Sequence, residues 1–460
     1  MAPLAPPRVP VEVLAILQTL WAAGHAAYVV GGGLRDTLLG RAVTDWDIAT
    51  DARPERTLEL FPGSHYGNRF GTVTIGDVEA TTFRRDHRYA DHRRPDSVTF
   101  TDDLTQDLAR RDFTVNAMGW GRPGDRGGRA DEPGWFDPHD GLRDLAARRL
   151  RAVGDPLERF DEDALRLLRA ARLAAQLDFE IEPRTLAAMR RTAGLVRWVS
   201  SERVGAELRR MIAAEPPSKG MRILEETGLL EPLFPELAAQ RGVAQDKIAG
   251  HDVWQHSLAT LDAAAKLDPP NMRLRLAALL HDIGKPATQA DGRFIGHDVE
   301  GARLAEELLT RLAFARHEIS HVATLVRQHM FLYEPRWSSA AVRRFIRRVG
   351  PALLADLLTL RQADNVGSGQ EADADGSAEL RQRVRAELAA GVPLRLADLA
   401  LDGSDLTSEL GLPPGPLIGR LLDRLLDSVV ANPERNNRER LLADARVWAT
   451  ELSQVAEAGE

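Results

Sequence analysis

The chain has 460 residues and carries 60 Lys and Arg against 68 Asp and Glu, a formal net charge of −8. Its length suggests about three domains, and its net charge repels nucleic acid unless cations are gathered locally. There is no cysteine, which excludes disulfides and any thiolate-bound zinc or iron–sulfur centre. The opening MAPLAPPRVP lacks the apolar core of a signal peptide, and no run of about 18 apolar residues occurs, so a cytoplasmic protein with no membrane partner is expected.

Taken in order, Val13, Leu14, Leu17, Leu20 and Trp21 recur at three- and four-residue steps within residues 9–23, predicting a helix that packs on a sheet. Tyr28 to Val30 then reads as a strand running into Gly31-Gly32-Gly33, with a short helical pattern from Leu34, a cap at Gly40, and a second strand carrying Asp45 and Asp47. Glycines let backbone N–H groups and a helix start approach an anion closely. Carboxylates two apart on a strand leave the same face and can share magnesium. The plainer alternative is a turn followed by two exposed acids. Pro54 to Phe61 reads as a helix, and FGTVTIGDVEATTFR as two strands about Gly76-Asp77, with Glu79 a possible third metal carboxylate. The polar stretch RRDHRYADHRRPDSVTF has the composition of a mobile loop.

In DLARRDFTVNAM, Asp107 and the cluster Arg110-Arg111-Asp112 precede an apolar run. An arginine there can grip phosphate oxygens bidentately. Leu157 to Leu177 is predicted to be one helix with Asp163, Arg166, Arg169 and Arg172 on a polar ribbon, facing away from Leu165, Leu168 and Leu173. Cytosine and adenine each present an amine donor beside a ring acceptor, the reverse of uracil and guanine. Asp163 accepts and Arg166 donates, so the pair suits C and A without a template. The bland reading is a charged helix laced by i,i+3 pairs. Further arginine clusters at Arg84–Arg94, Arg143–Arg151 and Arg336–Arg348 read as solvated faces.

GGGLRD followed by DWD resembles the head of nucleotidyltransferases of the DNA polymerase beta superfamily. RRDFTVNAM, DPHDGLRDL, EDALR and ERVGAEL resemble the motifs of class II tRNA nucleotidyltransferases and poly(A) polymerases. The resemblance implies Mg²⁺ on Asp45 and Asp47, and triphosphate or sugar held by Gly32, Arg35 and Arg111. It also implies that Asp163 and Arg166, with Glu162, read the base while Arg169 and Arg172 grip the nucleotide. The implied partners are ATP, CTP and the tRNA 3′ end, and neither DNA nor a membrane.

Farther on, His256 in HDVWQHS, the pair His281-Asp282 in LLHDIGKP, and Asp364 in LRQAD resemble the ligand order of HD-superfamily phosphohydrolases. Mixed imidazole and carboxylate donors suit Mn, Ni, Fe or Mg better than a closed zinc site, and such a centre activates water against a phosphate. His297 and His329 could enlarge it, or be structural.

The expected fold class is α+β. A polymerase-beta-like sheet head spans 1–150, a helical neck and body that bind nucleotide and RNA span 151–245, and an HD domain spans 246–366. A linker at 367–380 and a helical C-terminal segment at 381–460 complete it. The expected activity is addition of CMP and AMP to the tRNA 3′ end. The rivals are poly(A) synthesis, A-only or CC-only addition, an HD hydrolase whose head merely binds RNA, and a nonenzymatic RNA chaperone.

Overall fold

The computed structural model describes residues 5–68, 70–87, 97–124 and 132–457. They form two compact units, Met1–Ala238 with Arg311–Ala313, and Ala239–Thr310 with Phe314–Glu460.

In the first unit, helix α1 (Val11–Ala22) buries Val13, Ile16, Leu17, Leu20 and Trp21, its predicted apolar face. Strand β1 (Ala27–Val30) is buried along its whole length and ends directly in α2 (Gly31–Leu38). The helix therefore begins three residues before the expected start at Leu34, because the glycines form its first turn. Strand β2 (Trp46–Thr50) follows, then α3 (Pro54–Leu60), entered through Pro54. Next come β3 (His65–Asn68), β4 (Thr72–Ile75) and β5 (Val78–Thr82). The ends of the polar stretch expected to be a loop are strands, β6 (Arg84–His87) and β7 (Ser97–Phe100), paired antiparallel; residues 88–96 lie outside those described.

Helix α4 (Leu104–Ala109) is capped by the Asp103 carboxylate, which accepts from Thr105 N. Strands β8 (Gly119–Arg122) and β9 (Gly134–Phe136) complete a seven-stranded sheet of order β3-β4-β5-β2-β1-β8-β9. In its register Val30 faces Asp47, and Asp47 lies beside Glu79 on parallel β5. Tyr28, Val30, Phe83, Leu104 and Leu108 belong to one buried cluster of the head.

After α5 (Gly141–Ala146) a two-residue strand β10 (Arg149–Leu150) pairs with β11 (Glu180–Ile181). Between them lie α6 (Pro156–Glu162) and α7 (Leu165–Leu177). The single helix expected from Leu157 to Leu177 is thus broken at Asp163, whose backbone is extended at φ −140° and ψ 103°. Helices α8 (Pro183–Thr192), α9 (Ser201–Ile212), α10 (Ser218–Glu226), α11 (Leu230–Leu233) and α12 (Pro235–Ala238) finish the unit.

The second unit is helical: α13 (Val253–Leu267), α14 (Met272–Leu280), α15 (Lys285–Thr288), α16 (His297–Arg311), α17 (Arg316–Gln328), α18 (Ser339–Val349) and α19 (Leu354–Gly367). Then come α20 (Ser377–Ala389), α21 (Gly403–Leu410), α22 (Pro416–Ala431) and α23 (Arg438–Glu457). Trp254, Leu258 and Leu261 of α13 are fully buried where it packs on α14 and α19. The stretch between α19 and α20, expected to be a linker, is tied down. Asn365 Nδ2 donates to Ala372 O and Asp375 Oδ1, each at 3.1 Å, and Arg361 Nε donates to Asp375 Oδ2 at 2.5 Å. No helix among the described residues is long and apolar enough to cross a membrane.

Candidate active site and metal centre

The junction of β1 and α2 is built by close approach. Gly31 has φ +77°, and a methyl group on it would lie 2.6 Å from Asp47 Oδ2 and 3.2 Å from Arg111 Nη1. One on Gly33 would lie 2.5 Å from the Asp45 carbonyl oxygen. These two glycines therefore press the first turn of α2 against Asp45, just ahead of β2, and Asp47 within it. Gly32 is different: only the Arg35 guanidinium comes near its missing Cβ, at 3.5 Å.

Asp45 is exposed just ahead of β2, and Asp47 is half-buried within it. No described residue donates a hydrogen bond to the Asp47 carboxylate, which leaves its oxygens free. Burial pushes its proton affinity up, Arg111 opposes this, and neighbouring Asp45 adds to it. A half-buried acid destabilised by a second acid is a fitting seat for a divalent cation. Glu79 shares Asp47's face of the sheet but is exposed and does not line the cavity described next.

That cavity, of about 480 Å³, is lined by Gly31, Gly32, Gly33, Arg35, Asp45, Asp47, Arg111, Asp163, Arg166, Arg169 and Arg172, among others. Of the residues expected to serve nucleotidyl transfer, all but Glu162 and Glu79 thus line one space. A hydrogen-bonded chain crosses it: Arg35 Nη1 donates to Asn116 Oδ1 at 2.6 Å, Asn116 Nδ2 donates to Asp112 Oδ1 at 3.0 Å, and Arg169 Nε donates to Asp112 Oδ2 at 2.8 Å. Burial pushes the Asp112 carboxyl up, but Arg169 and Asn116 outweigh it and hold the group well below the usual carboxylate range. Asp107, fully buried, accepts from Arg110 Nε and Nη2 at 2.9 and 2.7 Å and from Arg111 Nη2 at 3.4 Å, fixing both guanidinium groups.

At the break between α6 and α7, the Asp163 carboxylate accepts from Leu165 N at 3.1 Å and from Arg203 Nη2 at 3.2 and 3.4 Å. Arg166 is not paired with it. Arg166 Nη1 donates to Glu162 Oε2 at 2.6 Å and Arg159 O at 3.0 Å, and Nη2 donates to Arg110 O at 2.8 Å. Of the five N–H groups of an arginine, Nε–H and one Nη2–H stay available. Glu162 is spent on Arg166 and Arg159 and does not line the cavity; it orients Arg166. Arg172 Nε lies 2.6 Å from Glu207 Oε2 on α9.

Sequence reasoning missed Arg203, Asn116 and Glu207. Each sits inside a stretch recognised for its motif, ERVGAEL or FTVNAM, so the signal was present without the role.

In the second unit His256, His281, Asp282 and Asp364 converge. His256 Nε2 is 3.1 Å from both His281 Nε2 and Asp364 Oδ1, and His281 Nε2 is 3.2 Å from Asp282 Oδ2. His297 and His329, left open from sequence, belong to the same cluster. Their Nε2 atoms are 3.3 Å apart and lie 3.5 and 3.8 Å from Asp282 Oδ1.

In all four imidazoles Nδ1 faces a backbone carbonyl: Gly367 at 3.1 Å, Ala278 at 2.9 Å, Phe294 at 2.7 Å and Val326 at 2.7 Å. A donating Nδ1–H leaves each Nε2 lone pair aimed inward, the orientation of a metal ligand. Burial lowers the affinity of His256 for a proton and takes the pKa of His329 down to about 4. Asp282 is buried among these rings. Two donor groups fit divalent cations, His256-His281-Asp282 and Asp282-His297-His329, with Asp282 common to both. Lys247 Nζ reaches His256 Nε2 at 2.8 Å and Asp364 Oδ1 at 2.7 Å, and Lys285 Nζ reaches Asp282 Oδ2 at 2.6 Å.

Known proteins resemble this chain along most of its length. The Poly A polymerase head domain matches residues 27–151, the probable RNA and SrmB-binding site of polymerase A matches 178–241, and the HD domain matches 253–367. The CCA-adding enzyme of Lactococcus lactis subsp. cremoris (strain MG1363) is 32% identical over 446 residues, covering 95% of this chain and 96% of that protein. This chain belongs to the CCA-adding enzyme family. The CCA-adding enzyme of Levilactobacillus brevis is 47% identical over 219 residues, a match that spans 46% of this chain and 53% of that relative. The solved CCA-adding enzyme of Bacillus stearothermophilus in complex with CTP superposes with a TM-score of 0.71 at 27% identity, covering 98% of each chain. As a member of the CCA-adding enzyme family, the chain is a nucleotidyltransferase with an HD domain.

Proposed function

We propose that this chain adds CMP and AMP, from CTP and ATP, to the 3′ end of tRNA without a template and in the cytoplasm. In this reading residues 1–150 are the catalytic head, 151–245 the neck and body, and 246–366 the HD domain, followed by a connector at 367–380 and a helical tail at 381–460. The observation that carries the reading is the cavity shared by Asp45, Asp47, Gly32, Arg35, Arg111, Asp163, Arg166, Arg169 and Arg172.

Asp45 and Asp47 would hold Mg²⁺, which when bound lowers the proton affinity of an attacking hydroxyl and screens charge on departing pyrophosphate. Gly32 leaves room for phosphate oxygens beside the N-terminus of α2, and Arg35 and Arg111 supply positive charge there. Asp163 accepts from the exocyclic amine of C or A, and the remaining N–H edge of Arg166 donates to the ring nitrogen. Uracil and guanine meet donor against donor and acceptor against acceptor.

The test is incubation of the purified protein with tRNA lacking CCA and each labelled nucleoside triphosphate. Incorporation of CTP and then ATP, stopping after the terminal A, is expected. Failure to incorporate either nucleotide defeats the proposal, and an extended A tract identifies a poly(A) polymerase instead.

A second activity is favoured by the four inward-facing Nε2 atoms around Asp282: metal-dependent hydrolysis of phosphate esters at RNA ends, with Mn, Ni, Fe or Mg on His256, His281, Asp282 and Asp364. Asp45→Ala with Asp47→Ala should abolish nucleotide addition and spare phosphate release. Loss of both activities in a folded double variant would contradict two separate centres.

A further inference from the structure

The connection from α15 to α16 is a closed turn. Asp291 and Gly292 both have positive φ, +49° and +72°, and Ala290 and Arg293 exchange backbone hydrogen bonds at 3.0 and 2.9 Å. This is the geometry of a tight mirror-image hairpin turn, and it fixes Arg293, Phe294 and Ile295 immediately ahead of His297. Ile295 is 80% exposed, and Met330, next to His329, is 57% exposed.

Single exposed apolar residues need no explanation. Here both line one cavity of about 480 Å³ together with Asp282, His297 and His329, held at its mouth by the backbone that positions the imidazoles. The Arg293 guanidinium, in the same lining, makes no hydrogen bond or ion pair with any described residue. The cavity floor is charged, with Lys247 paired to Asp364 and Lys285 to Asp282, and Lys285 Nζ lies 5.3 Å from the Phe294 ring centroid.

We propose that this mouth binds the terminal nucleoside of a phosphorylated RNA end. The phosphate reaches the floor beside Lys285, the base lies against Ile295, Met330 and Phe294, and Arg293 meets the next phosphate of the strand. A charged, metal-binding floor beneath an apolar rim is the layout expected of a nucleotide, whereas an apolar segment of a partner protein would leave that floor unused. The proposal rests on the HD centre acting on phosphate esters.

The test uses the full chain loaded with Mn²⁺ and calorimetric titration with adenosine 3′-monophosphate and with inorganic phosphate. Only the binding that a His281→Ala control lacks is counted. Wild type should bind the nucleotide about tenfold or more tightly than phosphate. Ile295→Ser with Met330→Ser should erase that preference, leaving phosphate affinity, Mn²⁺ content and melting temperature unchanged. If the double variant folds poorly, Ile295→Ser alone gives the same reading with a smaller shift. Unchanged nucleotide affinity in a folded rim variant, or no nucleotide preference in wild type, overturns the rim assignment while phosphate binding keeps the HD reading. If wild type binds neither ligand and hydrolyses no phosphate ester, the HD reading falls and takes the rim with it.

Discussion

Gly31 and Gly32 are adjacent and chemically identical, yet the structure gives them separate tasks. A methyl group on Gly31 meets Asp47 Oδ2 at 2.6 Å on a backbone with φ +77°, whereas one on Gly32 meets only the far end of Arg35. Gly31→Ala should therefore displace Asp47, reduce kcat by about a hundredfold or more, as misplacement of about 1 Å near the chemistry can do, and lower the melting temperature. Gly32→Ala should melt like wild type and raise KM for CTP and ATP, because it crowds phosphate without moving an acid. Steady-state kinetics and thermal denaturation of the two variants separate these outcomes. The sequence showed three glycines before two acids, which was enough to locate the site. It could not say which glycine packs against which acid, because that contact joins residues 16 apart through strand pairing.

At the level of elements, strands β1, β2, β4 and β5 of the head sheet and the apolar face of α1 were legible because their patterns are strong, whereas β3, β8 and β9 were not. The break between α6 and α7 was not. Every residue from Leu157 to Leu177 tolerates a helix, and what opens it is Asp163, whose carboxylate takes Leu165 N and the Arg203 guanidinium from α9. A partner 40 residues away leaves no local mark. The segment between α19 and α20 shows the same limit: its Gly, Ser and Asp content reads as loose chain, but Asp375 is gripped by Arg361 and Asn365.

The staple of Arg169 on α7 to Asp112, in the turn after α4, makes a measurable claim. The folded-state affinity of Asp112 for its proton is depressed below the ordinary value of 3.8. Its contribution to stability is therefore complete above the unfolded-state pKa and is lost as pH falls through that value toward the folded one. Asp112→Asn should cost on the order of 3 kcal/mol at pH 7, since it leaves Arg169 without its charge partner. The difference from wild type should shrink steadily below about pH 4. Urea denaturation across that range reads it, and a gap independent of pH would exclude the ion pair as its cause.

Across the whole molecule, the two compact units carry different candidate metal donors, the Asp45 and Asp47 carboxylates in the first and clustered imidazoles with Asp282 in the second. The net charge of −8 gave no hint of this division; the order of motifs did. His297 and His329 stayed open between ligand and structural role, because a lone imidazole carries no decisive signal until the fold brings Asp282 beside it. The Asp45→Ala, Asp47→Ala protein should bind two Mn²⁺ per chain, and His329→Ala in that background should bind one, as read by metal analysis after gel filtration. Mn²⁺ at a hundredfold excess over its Kd should stabilise the second unit by about 2.7 kcal/mol for each ion bound. Equal metal content in the two proteins would remove His329 from the centre.

In the proposed mechanism side chains choose the base in the same cavity that holds Asp45 and Asp47. The direct measurement is single-nucleotide incorporation from each of the four nucleoside triphosphates, by wild type and by Asp163→Ala, on tRNA acceptors ending before and after CC. Wild type should use CTP and ATP and reject UTP and GTP. Asp163→Ala should narrow that rejection by about 1–3 kcal/mol, roughly 5- to 150-fold. An Asp163→Ala enzyme as selective as wild type would show that the base is read elsewhere.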